Sequence, residues 1–224
     1  MNIYESFSMA MKNIKSSKTR SILTMLGIII GVAAVIVITG IGNGMEKYMK
    51  DQFESMGTNT LSVYVLGRGN QKMTVDDMQV IVDENSEYLD KMTPTISFQG
   101  SKKVGTDNLN STNVTGVSEQ FLDIKGLKLT DGRNIQYMDI KNRNSVCIIG
   151  SYVNKKYFGG KGLGDSVKLN GRDFTIVGVL EEKAKSEEYS TDDAIYVPYS
   201  TVSRMMNIKD VSDFTITFKS EEMS

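Results

Sequence analysis

The chain has 224 residues, with 26 Lys and Arg against 27 Asp and Glu, no histidine and a single cysteine, Cys147. That length holds one large domain or two small ones, and the near-neutral charge, without a basic stripe interleaved with aromatics, gives no sign of nucleic-acid binding. Without histidine there are no His-based triads, His metal sites or His general bases, and one cysteine permits neither an internal disulfide nor a cysteine zinc cluster.

At the N-terminus Ile3, Phe7, Ala10, Met11 and Ile14 recur at helical spacing, with lysines off the stripe. The pattern predicts a short amphipathic helix over residues 1–20 lying in the cytoplasmic membrane interface, with a frayed tail as the alternative. The stretch "RSILTMLGIIIGVAAVIVITGIGNGME" then runs from Arg20 to Glu46 with no charged side chain between its ends. At about 1.5 Å per helical residue it is long enough to cross a hydrocarbon core of roughly 30 Å. A soluble core helix would carry a polar face, and this segment has none. A cleavable signal would have a shorter apolar region, of about 7–15 residues, before a small-residue cleavage site. The segment therefore reads as a retained membrane span over residues 21–44.

Lys12, Lys15, Lys18 and Arg20 precede the span, whereas Glu46, Lys47, Lys50, Asp51 and Glu54 mix both signs beyond it. The excess of positive charge before the span predicts a cytoplasmic N-terminus, with residues after about Met45 outside the cytoplasm. Within the span Gly27 and Gly31 form G-x-x-x-G, with Ala34 about one turn further on. Small residues at this spacing let a second helix approach closely, although the motif also recurs by chance in apolar segments. Past the span, Met45, Tyr48, Met49, Phe53 and Met56 extend an amphipathic stripe over a stalk at residues 45–58, ending near Gly57. Gly40, Gly42 and Gly44, between span and stalk, are either a hinge or a tolerated helix exit.

Residues 59–224 read as the domain proper. Strands are expected at "TLSVYV", Thr93 to Phe98, Ser111 to Val117, Ser145 to Ile149, Ala194 to Val197 and Phe214 to Phe218. A short helix opens at "TVDDMQVIV", where Thr74 and Asp77 have capping-box spacing, and another covers about Tyr152 to Phe158. "SVKLNGRDFTIVGVL" carries two strand-like runs joined by Asn170-Gly171, which suits a two-residue type I′ turn. Strands alternating with short helices argue an α+β class: one transmembrane helix, then an extracytoplasmic mixed α/β core domain with a mainly antiparallel or mixed sheet.

Several stretches imitate sites. "GGKGLGDS" places Gly160, Gly162 and Gly164 near Lys161, but the Walker spacing fails, and the stretch follows a helix and precedes a strand, the reverse of a phosphate-binding loop. It reads as a turn. Asp76-Asp77, Glu187-Glu188 and Asp192-Asp193 read as solvated loop charge rather than cation ligands. Met205-Met206 reads as core or interface, and Cys147, in the apolar run "SVCIIG", as a buried structural thiol. No catalytic constellation, cofactor motif or metal ligand set is found.

The order of these pieces resembles the N-terminal half of a MacB/FtsX-type ABC transporter permease. "KTRSILTMLGIIIGVAAVIVITGIGNGMEKYMKDQFESMGTNTLSV" is similar to that family's first membrane helix and stalk. "VTGVSEQFLDIKGLKLTDGRNI" resembles its segment ending in Gly-Arg, here Gly132-Arg133, and "VCIIGSYVNKKYFGGKGLGDSVKLNGRDFTIVGVL" its later block, in which a Phe-Gly turn precedes a hairpin. Gly162 departs from the family, which commonly has proline before Leu-Gly. The resemblance implies a permease fragment or truncated gene product, without the family's three later membrane helices. It further implies a separate ABC ATPase subunit, a second permease copy, a place in the cell membrane, and transmission of movement through the stalk. Cargo in the family ranges over macrolides, peptides, lipoproteins and activators of cell-wall hydrolases, so membership names none. A single-pass membrane-anchored sensor or binding module acting alone is the alternative.

Overall fold

The computed structural model describes residues 3–16, 18–56, 59–66 and 73–219; the side chains at 10, 11, 13–16 and 49–56 lie outside the described part. The chain divides into two compact units, Met1–Phe53 and Glu54–Ser224.

The first unit is built on helices α1 (Ile3–Ser16) and α2 (Lys18–Met56). The segment ahead of the span is thus helical, with Ile3 and Phe7 exposed; Ala10, Met11 and Ile14 fall outside the described side chains. Helix α2 passes through Gly40, Gly42 and Gly44 without a break, so the helix does not exit there. Each glycine costs up to about 1 kcal/mol relative to alanine, which a continuous hydrogen-bond ladder on both sides outweighs. Inside the apolar stretch the hydroxyls of Thr24 and Thr39 donate to the carbonyls of Arg20 (3.0 Å) and Val35 (2.9 Å), one turn back. Both polar groups are therefore satisfied within the helix, as an apolar surround requires. Gly57, the expected stop, lies outside the described residues.

The second unit contains β1 (Thr60–Tyr64), α3 (Val75–Glu84), β2 (Leu89–Pro94), β3 (Ile96–Ser97), β4 (Lys102–Val104), β5 (Asp107–Asn108) and β6 (Asn113–Val117). There follow α4 (Phe121–Ile124), β7 (Leu129–Gly132), α5 (Tyr137–Lys141), β8 (Val146–Ile149) and α6 (Ser151–Phe158). The chain then forms β9 (Ser166–Leu169), β10 (Arg172–Leu180), β11 (Ala194–Pro198), α7 (Tyr199–Met206) and β12 (Asp213–Phe218). Strands β1, β12 and β2 make a small antiparallel sheet. The larger sheet runs β3-β6-β11-β8-β10-β9-β4-β5, with β7 also on β10. In it β6/β11 and β8/β10 are parallel and the other pairs antiparallel. The α+β class with antiparallel and mixed sheets is the one expected from the sequence.

Local signals explain the elements. Thr74 and Asp77 form the capping box of α3: the Thr74 hydroxyl accepts from the Asp77 N–H (3.2 Å), and the Asp77 carboxylate accepts from the Thr74 N–H (2.9 Å). Asn170 and Gly171 both take positive φ (46° and 81°), as a type I′ hairpin between β9 and β10 demands. The run Thr93 to Phe98, expected as one strand, is two. Pro94 ends β2 opposite Phe214, the Thr95 N–H donates to the carbonyl of Asp213, and Ile96–Ser97 then pairs with β6 in the other sheet. Proline has no N–H to continue a ladder, and its fixed φ turns the chain across.

The larger sheet is covered on both faces. Cys147 and Ile149 join one core with Phe174, Ile176, Val153, Val202, Phe214 and Ile216, which also takes Met78 and Val82 from α3. Ile148, between them, faces the opposite way into a second core with Val117, Phe121, Ile135, Ile140 and Leu180. Successive strand residues point to opposite faces, so "VCII" is apolar throughout because both faces of β8 are buried.

Candidate functional site

The residues singled out by the sequence lie on α2. Gly27 and Gly31 are one turn apart with Ala34 three residues on, and a Cβ built at either glycine would meet nothing within 4 Å. The small-residue face is open, and nothing among the described residues fills it. Met45 and Tyr48 are exposed further along the same helix; Met49, Phe53 and Met56 are helical in backbone, and their side chains lie outside the described part. Lys18–Tyr48 is long and apolar enough to cross a membrane, and its apolar window is unburied within the chain. So much exposed apolar surface is untenable in water; lipid or other helices must cover it. At about 1.5 Å per residue the whole of α2 measures roughly 58 Å, well beyond a bilayer of about 40–45 Å including headgroups.

In the second unit several of the residues that imitate sites in the sequence are structural. Cys147 is fully buried, its Sγ donates to the carbonyl of Phe174 at 3.7 Å, and desolvation pushes its pKa far up, leaving an inert thiol. "GGKGLGDS" forms the turn between α6 and β9, opened by Gly159 in the left-handed cap of α6 (φ 58°). Met205 and Met206 are half-buried against the main core. Asp192 and Asp193, expected as solvated loop charge, are instead buried. The Asp192 carboxylate accepts the N–H groups of Lys183, Ala184 and Ser186 at 2.9, 2.7 and 3.0 Å, and Asp193 accepts from Thr112 Oγ1 (2.6 Å) and the Tyr189 N–H (3.2 Å). They organise the loop ahead of β11. Their partners are mostly backbone N–H groups, which leave no mark on the sequence.

A second clasp was equally hidden. Arg133 donates to both oxygens of Asp139 (2.7 and 3.4 Å), which also accepts from the Gln136 N–H and from Asn144 Nδ2, each at 2.9 Å. Burial raises the Asp139 pKa, but the hydrogen bonds from Arg133, Asn144 and Gln136, with the Arg133 charge, outweigh it and hold the carboxyl below its usual range. A depressed carboxylate pKa contributes stability that is present above the unfolded value and is lost as pH falls through the folded one. Between about pH 6 and about pH 3 the unfolding midpoint of the chain should therefore fall further in the wild type than in Asp139→Asn. Equal falls would show that the clasp does not titrate with folding.

Among the described residues no group of three His, Cys, Asp or Glu converges as a metal site would require. A helix long and apolar enough to span a bilayer, followed in the chain by an α+β unit whose buried charges hold loops, is the architecture of a membrane-anchored protein. Residues 21–223 match the MacB-like periplasmic core domain, and the chain belongs to that family. It is 31% identical over 211 residues to the macrolide export ATP-binding/permease protein MacB of Aggregatibacter actinomycetemcomitans, covering 89% of this chain and 32% of that protein. It is 34% identical over 207 residues to the protein of the same name from Neisseria gonorrhoeae, covering 88% and 32%. The chain thus spans about a third of the length of these relatives. The crystal structure of the periplasmic region of MacB from Actinobacillus actinomycetemcomitans superposes with a TM-score of 0.61 at 27% identity, over 74% of this chain and 77% of that one. The extracellular domain of the ABC-type transporter YknZ from Gram-positive bacteria shares the fold, with a TM-score of 0.59 at 19% identity over 73% and 86%.

Proposed function

We propose that this chain is a non-catalytic permease component of an ABC transporter, coupling ATP hydrolysis by a separate ATPase chain to export or mechanical work outside the cytoplasm. The observation that carries the reading is the pairing of one over-long apolar helix with a MacB-like periplasmic core domain in a single chain. In this reading residues 1–20 lie at the cytoplasmic interface, 21–44 span the membrane, 45–58 form the stalk and 59–224 the extracytoplasmic domain. Gly27, Gly31 and Ala34 then make the face on which a second membrane helix packs, from another copy or another part of the permease.

Isolation of the full chain from its native membrane in a non-ionic detergent tests the assembly. A nucleotide-binding ABC subunit should co-purify with it, and Gly27→Leu with Gly31→Leu should lower that yield, since overpacking a close contact costs about 1–3 kcal/mol. Isolation of the chain alone, with no ATPase in any preparation, would favour a stand-alone anchored module instead.

Orientation rests on the lysines and arginine ahead of Ile22. Protease added to intact spheroplasts should remove the part after Met45 and spare the N-terminal segment. Protection of the whole chain would reverse the topology.

A further inference from the structure

A cleft of about 480 Å³ opens in the second unit between the start of α3, the turn after α5 and the end of α7. That volume falls in the range of small-ligand sites, about 300–1,000 Å³. Its walls are fixed by hydrogen bonds between elements. The hydroxyls of Ser200 and Thr201 on α7 donate to the carbonyls of Ile140 (2.5 Å) and Asn144 (3.1 Å), holding the turn that carries Arg143. Ser203 Oγ donates to the carbonyl of Ile208, whose own N–H returns to the Ser203 carbonyl at 2.9 Å, so Asn207, Ile208 and Lys209 fold over the end of α7. The N–H of Val211 then donates to the carbonyl of Met73 at 3.0 Å, tying that loop to the residue before the cap of α3. The cleft is preformed.

Arg143, Arg204 and Lys209 line it against one carboxylate, Asp76. Among the described residues these three cations have no ion pair, whereas Lys91, Arg133, Lys155, Lys156 and Lys168 all do. Arg143 also holds φ at 54°, a left-handed conformation in which an arginine is uncommon and strained, and such strain persists where surrounding structure enforces it, often at ligand sites. Val75, Ile208, Val211 and Tyr199 supply an apolar side to the same cleft.

We propose that this cleft binds an amphipathic anion, a carboxylate or phosphate group carried on a compact apolar or aromatic body. A guanidinium donates parallel N–H groups to either head group, the lysine adds a point charge, and the apolar wall takes the body. Three positive charges against one negative set the sign of the local field and favour an anion before contact is made. All of its lining residues lie in the second unit.

The full chain in non-ionic detergent micelles at low salt is titrated with para-fluorophenyl phosphate, para-fluorobenzoate and neutral para-fluorobenzyl alcohol, followed by fluorine NMR. At least one anion should bind saturably, and at least tenfold more weakly to the triple variant Arg143→Gln, Arg204→Gln, Lys209→Gln. Lys103→Gln, an exposed cation on β4 outside the cleft, should bind as the wild type does. All three cleft cations are exposed, so the triple variant should keep the wild-type unfolding midpoint. Preference for the phosphate assigns a phosphorylated head group; preference for the benzoate assigns a carboxylate, as at a peptide C-terminus. Absence of saturation by both anions, equal binding of the alcohol, or an equal loss in Lys103→Gln would overturn the proposal.

Discussion

Gly132→Ala should lower the unfolding midpoint of the chain by roughly 5–20 °C, the shift that about 2–5 kcal/mol produces in a domain of this size. Gly132 ends β7 opposite Gly178 on β10, at φ +82°. A Cβ there would lie 2.2 Å from the carbonyl oxygen of Val177, 2.6 Å from Leu163 and 2.9 Å from the Cα of Gly178. Two of those neighbours are backbone of the longest strand in the larger sheet and cannot swing aside. The left-handed φ adds about 1–2 kcal/mol for any residue with a side chain, and overpacking adds about 1–3 kcal/mol. Gly159 separates the two effects, because it is also left-handed (φ +58°) and a Cβ there meets nothing within 4 Å. Gly159→Ala should therefore show the conformational cost alone. If both variants unfold at the same temperature, β7 does not press on β10 as closely as its register implies. The sequence segment that ends in Gly132-Arg133 thus has two jobs side by side: the glycine admits the close pairing of β7 with β10, and the arginine clasps Asp139.

Features that depend on a few adjacent residues were legible in the sequence. The type I′ turn at Asn170-Gly171, the capping box at Thr74 and Asp77, and the doubly buried strand around Cys147 each carry a local signature that the fold retains. What escaped was whatever distant chain segments impose. The break at Pro94–Thr95 exists because two sheets compete for neighbouring residues, and periodicity within one run is blind to that. Helix α7, "YSTVSRMM", is amphipathic but only eight residues long, too short for its pattern to stand out. Besides packing Val202 into the core, it is held by Ser200 and Thr201 reaching across to the end of α5 and the turn after it. Asp192 and Asp193 look like loop charge in the sequence because four of the five groups that satisfy them are backbone N–H groups, and the fifth is the distant Thr112 hydroxyl. The cleft with Arg143, Arg204 and Lys209 was invisible for the same reason: its walls come from three separate stretches. By contrast, that Gly27, Gly31 and Ala34 share one face needs only the local sequence, since a single helix carries them; the packing of a second helix there is proposed.

On the proposed coupling to a partner ATPase, a flexible insert of several Gly-Ser residues after Met45 should abolish transport by the complete assembly while ATPase activity persists. The expectation rests on α2 as one object: it continues through Gly40, Gly42 and Gly44 to Met56 with no proline and no break. Each turn of such a helix extends the same ladder of hydrogen bonds, so a tilt imposed inside the membrane becomes displacement beyond it. Roughly 58 Å of helix at about 1.5 Å per residue leaves a length of stalk outside a hydrocarbon core of about 30 Å. A Gly-Ser segment behaves as a random coil, with no fixed direction to transmit. The two ends would stay joined, and the α+β unit would keep its own core, because its buried residues begin downstream of the insert. Hydrolysis would then continue in the partner chain without moving that unit. An insert of helix-forming residues of equal length, such as Ala-Glu-Ala-Ala-Lys, should retain part of the transport, since it lengthens the rod without softening it. Transport at the wild-type rate with the Gly-Ser insert would reduce the stalk to a tether, and the mechanical reading would fall with it.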